Sequence, residues 1–216
     1  MKNQVCVSVL GTENKADKIN QLIKHGVKTI HYDLMDGLFV KNKSLEQSEM
    51  EYILANTNDH FKDLHLMVFD PVKYIDLYKH RVDSITFHYE SESIDKIKKI
   101  FKNYGHQFKI GIAVNPGTNI EQIFEFVHDA SHVLIMSVVP GKGGQTFIDS
   151  TIEKIVKLKN YITKIKADTF IQVDGGINDQ TGPRAFKAGA TSLVSGSFVL
   201  KNINQNKILE KIKGHN

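Results

Sequence analysis

The stretch Thr29-Ile-His-Tyr-Asp-Leu-Met-Asp-Gly37 decides how this chain folds. It is an apolar run that ends in two metal-capable side chains, His31 and Asp33. In a β-strand, residues i and i+2 face the same side, so His31 and Asp33 point together at one ion while Tyr32 points away. Two more such run ends, at His65 and Asp174, supply a second imidazole and a second carboxylate. The pattern reads as a metal site combined with an acid/base pair.

Outward from this stretch, short apolar β-branched runs alternate with longer amphipathic segments. Strand candidates lie at 5–10, 29–35, 63–68, 84–88, 109–114, 132–138, 169–174 and 191–197, each separated from the next by room for a helix. Repeated βα units imply parallel strands joined by right-handed crossovers. Asp70-Pro71 opens one helix, Thr118-Asn-Ile-Glu121 resembles a capping box, and Gly26, Gly105 and Gly189 follow helical stretches. Eight units of about 27 residues fit an α/β fold, a single-domain (β/α)8 TIM barrel over residues 1–216. A doubly wound open sheet is the alternative.

Composition agrees: 216 residues, 41% hydrophobic and 24% charged, make one domain with a substantial core. No signal-peptide pattern and no apolar window of membrane-spanning length occur, so the expected location is cytoplasmic, with no membrane partner. The one cysteine, Cys6, excludes an intramolecular disulfide and reads as a buried strand residue. The formal charge of +4 is spread over lysines on helices expected near 91–102 and 202–213, without interleaved aromatics. Those are solvated faces, and no nucleic-acid partner is expected.

In barrels of this kind, active sites form at the C-terminal ends of the strands. Ser8, His31, Asp33, His65, His88, Asn115 and Asp174 all fall at or just past such ends. Two imidazoles and two carboxylates suit one divalent ion, Zn, Fe, Mn or Co, whose coordination can expand toward substrate oxygens. His88 has no matching partner in the pattern and reads as a rim residue.

Glycines mark a second constellation. Pro140-Gly-Lys-Gly-Gly-Gln145 follows the sixth strand, Gly175-Gly176 the seventh, and Ser195-Gly-Ser197 the eighth. Glycine lets backbone N–H groups approach an anion, and barrels commonly seat phosphate on the loops after strands seven and eight. A phosphorylated small molecule is the natural ligand. Gly141-Lys-Gly-Gly-Gln-Thr146 falls short of a dinucleotide fingerprint, and no GxxxxGK[ST] cradle for ATP exists. Met35, Met67 and Met136 stand near strand ends, where thioethers give a polarizable, water-poor lining.

With these residues in view, the chain resembles the ribulose-phosphate 3-epimerase family over nearly its whole length. The motifs His31-Tyr-Asp-Leu-Met-Asp-Gly37, Asp63-Leu-His-Leu-Met-Val68, Ile85-Thr-Phe-His88, Gly111-Ile-Ala-Val-Asn-Pro-Gly117, Met136-Ser-Val-Val-Pro-Gly-Lys-Gly-Gly144, Val173-Asp-Gly-Gly-Ile177 and Ser195-Gly-Ser197 follow the family in order. The resemblance implies one divalent ion on His31, Asp33, His65 and Asp174, and proton exchange at C3 by Asp33 and Asp174. It implies substrate contacts at Ser8 and His65, phosphate on Gly141, Lys142, Gly143, Gly144, Gly175, Gly176, Gly196 and Ser197, and a chamber lined by Met35, Met67 and Met136. It further implies a ketose phosphate substrate, first D-ribulose 5-phosphate and D-xylulose 5-phosphate, and a homodimer or larger homo-oligomer. A hexulose-phosphate 3-epimerase acting on D-allulose 6-phosphate and a non-catalytic phosphosugar-binding barrel are the alternatives. Two places depart from the family: Phe39-Val-Lys-Asn42, where proline is usual at Lys41, and Val139 with Lys142, where glutamate and an aromatic are common.

Overall fold

The computed structural model describes residues 3–205 and 207–214. Its strands in chain order are β1 (Gln4–Ser8), β2 (Thr29–Asp36), β3 (Lys43–Ser44), β4 (Phe61–Met67), β5 (Ser84–His88), β6 (Lys109–Val114), β7 (His132–Met136), β8 (Phe170–Asp174) and β9 (Ser192–Ser195). All except the short β3 run parallel, and β1 pairs with both β9 and β2, which closes the sheet into a (β/α)8 barrel. The open-sheet alternative is thereby excluded.

The alternation along each strand explains the barrel. In β2, Ile30, Tyr32 and Leu34 face out and join the main apolar core, as do Leu64 and Leu66 of β4, Ile85 and Phe87 of β5, and Ile110 and Ile112 of β6. Burying each such side chain contributes about 1.5–3 kcal/mol. The helices cover them: in α4 (Ile94–Tyr104), Ile97, Ile100 and Phe101 are buried at helical spacing, while the lysines lie on the other face. The inward positions are mostly polar, among them His31, Asp33, Asp63, His65, Ser84, Thr86, His88, His132, Gln172 and Ser192, all buried. Above them sits a small apolar group of Ala113, Leu134, Met136 and Val138. Because the apolar core lies outside the ring, the ring's interior is free to carry chemistry.

The remaining helices are α1 (Lys15–Lys24), α2 (Gln47–Asn56), α3 (Pro71–Tyr78), α5 (Thr151–Ile165), α6 (Thr181–Ala188), α7 (Ser197–Asn202) and α8 (Ile208–Lys213). Pro71 takes the first turn of α3 behind Asp70, as the dipeptide indicates. The helix expected near 202–213 occupies only its second half, as α8, and α7 ends at Asn202. Between β6 and β7 the chain forms only a 3-10 segment, Ile120–Phe126, and no capping box closes at Thr118. The Thr118 hydroxyl is drawn away to the carboxylate of Glu90, and Lys154 of α5 donates to the carbonyls of Asn115, Pro116 and Thr118. Strand ends are also earlier than expected at 10, 138 and 197, because those residues turn into the functional loops. No helix among the described residues is long and apolar enough to cross a membrane.

Candidate active site and metal centre

Register brings the ligand set together. In β2 and β4, His31 pairs with Asp63, Asp33 with His65 and Met35 with Met67, while Ser8 of β1 lies beside His31. Asp174 enters from β8, with β9 and β1 standing between it and β2. Ligand atoms of His31, Asp33, His65 and Asp174 lie within 4.8 Å of one another. His31 Nε2 is 3.4 Å from Asp33 Oδ1 and 3.8 Å from Asp174 Oδ2; His65 Nδ1 is 3.3 Å and 4.0 Å from the same oxygens. Metal bonds of about 2.0–2.1 Å in a tetrahedron place donors about 3.4 Å apart. The two shorter separations match that span, and those to Asp174 are longer.

The protonation pattern also suits a cation. His31 Nδ1 donates to Asp63 Oδ2 at 2.9 Å, while the buried Nε2 faces the cluster with no hydrogen-bond partner. Burial would lower the His31 pKa, but Asp33 and then Asp63 hold it well above the usual range, so Nε2 carries a positive charge that a bound cation would replace. Asp63 is held in turn by Ser84 Oγ at 2.7 Å and Gln172 Nε2 at 2.8 Å. Burial pushes the His65 pKa down to about 4, so the ring is neutral and able to ligate. Two ring nitrogens and two carboxylates thus converge on one point, where positive charge is stabilised.

The two aspartates differ. Burial alone would raise the Asp33 carboxyl, but His31 and His65 overcome this and hold it well below the usual range; Ser8 Oγ donates to its Oδ2 at 2.7 Å. At Asp174, burial and then the charge of Asp33 push the carboxyl above the usual range. Its side chain is 16% exposed against 5% for Asp33, so it opens further into the cavity. Two carboxyls with opposed pKa shifts are the signature of a paired base and acid.

A cavity of about 860 Å³ lies over the cluster. Ser8, Asp33, Met67, Met136, Asp174 and all the singled-out residues of the glycine loops, from Gly141 to Ser197, line it. Met35 is buried beside Met67 but is not part of the lining, and His31 and His65 are fully buried behind Asp33. The loop after β8 needs glycine. Gly175 has φ +116°, and a Cβ there would come within 2.4 Å of Val138; Gly176 has φ +63°, and a Cβ would come within 2.5 Å of the Phe147 backbone nitrogen. Ser137, whose role the sequence did not suggest, pins this loop by donating to the carbonyls of Asp174 and Gly175 at 2.8 and 2.6 Å.

The two loops that depart from the family pattern touch each other. Asn42 Nδ2 donates to the Gly141 carbonyl at 2.7 Å, and Gly141 packs against Val40. Lys142 is exposed at the rim of the cavity.

His88 is not a rim residue. It is fully buried, its Nε2 lies 2.9 Å from His65 Nε2 and its Nδ1 lies 3.2 Å from Glu90 Oε2. Asp63, quoted only as part of a motif, also proves to hold the His31 ring. Its position two residues before His65 on the same inward face was the signal.

Comparison with known proteins agrees with this geometry. The family model described as the ribulose-phosphate 3 epimerase family matches residues 4–200. A protein of Bacillus subtilis (strain 168) named ribulose-phosphate 3-epimerase is 35% identical over 98% of this chain and 98% of its own length. One of the same name from Aquifex aeolicus is 35% identical over 85% of this chain and 82% of its own. The chloroplastic ribulose-5-phosphate-3-epimerase of Arabidopsis thaliana is 36% identical over 81% of this chain and 62% of its own length. Among solved structures, the tryptophan synthase α subunit of Campylobacter jejuni superposes with a TM-score of 0.65 over 98% of this chain and 94% of its own, at 14% identity. That likeness shows the barrel fold alone.

Proposed function

Because this chain belongs to the ribulose-phosphate 3-epimerase family, we propose that it inverts C3 of a ketose phosphate, interconverting D-ribulose 5-phosphate and D-xylulose 5-phosphate with one divalent ion, Zn, Fe, Mn or Co. The observation that carries this reading is the convergence of His31 Nε2, Asp33, His65 Nδ1 and Asp174 beneath a cavity rimmed by glycine loops. A divalent ion held by these four residues supplies Lewis-acid stabilisation of the negative charge that develops on the ketose oxygens.

The chain's own residues do the rest. Asp33, kept ionised by His31 and His65, accepts the C3 proton of ribulose 5-phosphate, and Ser8 holds the carboxylate's other oxygen in place. A planar enediolate results. Asp174, separated from Asp33 by two intervening strands of the barrel and raised in pKa, returns a proton to the opposite face. Substrate running the other way exchanges the two roles. Backbone N–H groups of the loops around Gly141 to Gly144, Gly175 to Gly176 and Gly196 to Ser197 receive the phosphate, and Met67 and Met136 keep water from the reacting carbon.

We place this chemistry in the cytoplasm, in a homodimer or larger homo-oligomer, a state that light scattering reads directly. Side-by-side assays of metal-stripped and reloaded protein on ribulose 5-phosphate and on allulose 6-phosphate test the assignment. Metal-dependent inversion of the pentulose phosphate is the expected result. Preference for the hexulose phosphate moves the substrate assignment, and no inversion of either sugar with any of the four metals contradicts it.

A further inference from the structure

We propose that Glu90 and His88 act as positioning residues for His65, forming a carboxylate–imidazole–imidazole chain that holds the bare Nδ1 of His65 toward the metal site. The inference rests on the metal reading above and concerns residues that touch neither ion nor substrate.

The argument is one of counting protons. Two ring nitrogens, His65 Nε2 and His88 Nε2, lie 2.9 Å apart, with the rings stacked at 5.0 Å. That contact needs a single proton between them, and a neutral imidazole carries only one N–H. On the far side, His88 Nδ1 faces Glu90 Oε2 at 3.2 Å. With a cation on His65 Nδ1, the one proton of that ring is on Nε2 and is donated to His88 Nε2, so His88 carries its own proton on Nδ1 and donates it to Glu90, whose ionised carboxylate only accepts. The bare Nδ1 belongs to the loaded site: without a cation, this atom lies 3.3 Å from Asp33 Oδ1 and the carboxylate competes with the relay for the ring proton.

Glu90 is itself fixed. Its Oε1 accepts from the Asn115 backbone N–H at 2.8 Å and from the Thr118 hydroxyl, while Ser91 Oγ donates to the His88 carbonyl at 2.7 Å. The Phe39 ring covers His88 at 4.7 Å. The two ligand imidazoles therefore present opposite ring atoms, Nε2 at His31 and Nδ1 at His65, the first set by the buried Asp63 and the second by the half-buried Glu90. Asp63 acts directly and Glu90 through one intervening ring. Partners of this kind typically tune metal affinity 10- to 100-fold.

Glu90→Gln tests the chain sharply. Its amide oxygen is retained by Asn115 N–H and Thr118, so its NH2 group faces His88 Nδ1 and reverses every proton in the relay. Wild type, E90Q, E90D and Thr118→Val are stripped of metal and titrated with Co²⁺ against a chromophoric chelator, with circular dichroism to confirm folding and the Co²⁺ absorption bands to report the ligand field. Expected are binding about 10- to 100-fold weaker with altered bands in E90Q, partial recovery in E90D, and at most about a threefold change in T118V. E90Q binding within twofold of wild type, or T118V as damaging as E90Q, overturns the proposal. Wild type that binds no Co²⁺ contradicts the metal reading instead.

Should E90Q not fold, histidine ¹⁵N NMR of the Zn²⁺-loaded wild type decides independently. Protons on His65 Nε2 and His88 Nδ1 are expected. A proton on His65 Nδ1 overturns the relay.

Discussion

The two halves of this site are built by different means. At the proposed metal centre, position is carried by side chains: His31, Asp33, His65 and Asp174 come from strands, and the carboxylates of Asp63 and Glu90 hold the imidazoles, the second through His88. At the proposed phosphate loops, position is carried by backbone: Gly175 and Gly176 adopt left-handed conformations within contact distance of Val138 and Phe147. The first half works through lone pairs and charge, and a change of one functional group alters it. The second works through N–H directions and is altered only when the chain path shifts. The difference predicts which substitutions reduce turnover and which reduce binding.

The strongest way to break the comparison lies at the metal centre. Asp33→Asn and Asp174→Asn should each lower kcat by about 10³-fold or more, the upper range for losing a general acid or base. KM should change little, and the measurement is single-substrate turnover with metal content checked in the same sample. Normal turnover in either variant refutes the two-aspartate reaction.

Asp63→Asn should weaken divalent-ion affinity about 10- to 100-fold, read by chelator competition, because His31 loses the partner that sets its tautomer. The same residue gives a pH effect. Burial would raise the Asp63 carboxyl, but His31, then His132 and Ser84, hold it below the ordinary carboxylate range. A depressed pKa contributes stability that is present above the unfolded value of about 3.9 and is lost as pH falls below it. In metal-free protein, calorimetry should therefore show the Tm advantage of wild type over D63N shrinking as pH falls from about 5 to about 2.

Gly176→Ala sharpens the other half. Forcing a Cβ into this left-handed position against the Phe147 backbone costs about 1–3 kcal/mol. The loop should yield, raising KM about tenfold while kcat falls less. Equal loss in both would mean that the loop also aligns the reacting carbon. The smallest effect is expected at Lys142, an exposed rim cation. Lys142→Gln should raise KM less than about fivefold, and the difference should fade in high salt.

What the sequence made legible follows from range. The period of two in 29–37 placed His31 and Asp33 on one face, and β5 and β6 lie where 84–88 and 109–114 were expected, because these are local patterns. The barrel followed from their repetition. His88 was misjudged because its partners are set by the β4–β5 register and by a turn at Glu90, neither of which leaves a spacing signature. Likewise, the residues at 118–121 looked like a helix start. The competing acceptor on Glu90 and the cation of Lys154, far along the chain, determine what they become. The loops at 40–42 and 139–145 were read as separate departures, and only their folded contact shows them to be one surface.

The central claim is that two aspartates act from opposite sides of one carbon. Metal-loaded protein is mixed with ribulose 5-phosphate in deuterated water and quenched early, and deuterium at C3 is read by NMR in both sugars. Deuterium in the xylulose 5-phosphate formed, with the recovered ribulose 5-phosphate still carrying its original proton, is the expected result. Equal labelling of recovered substrate, or product that retains the substrate's proton, contradicts it.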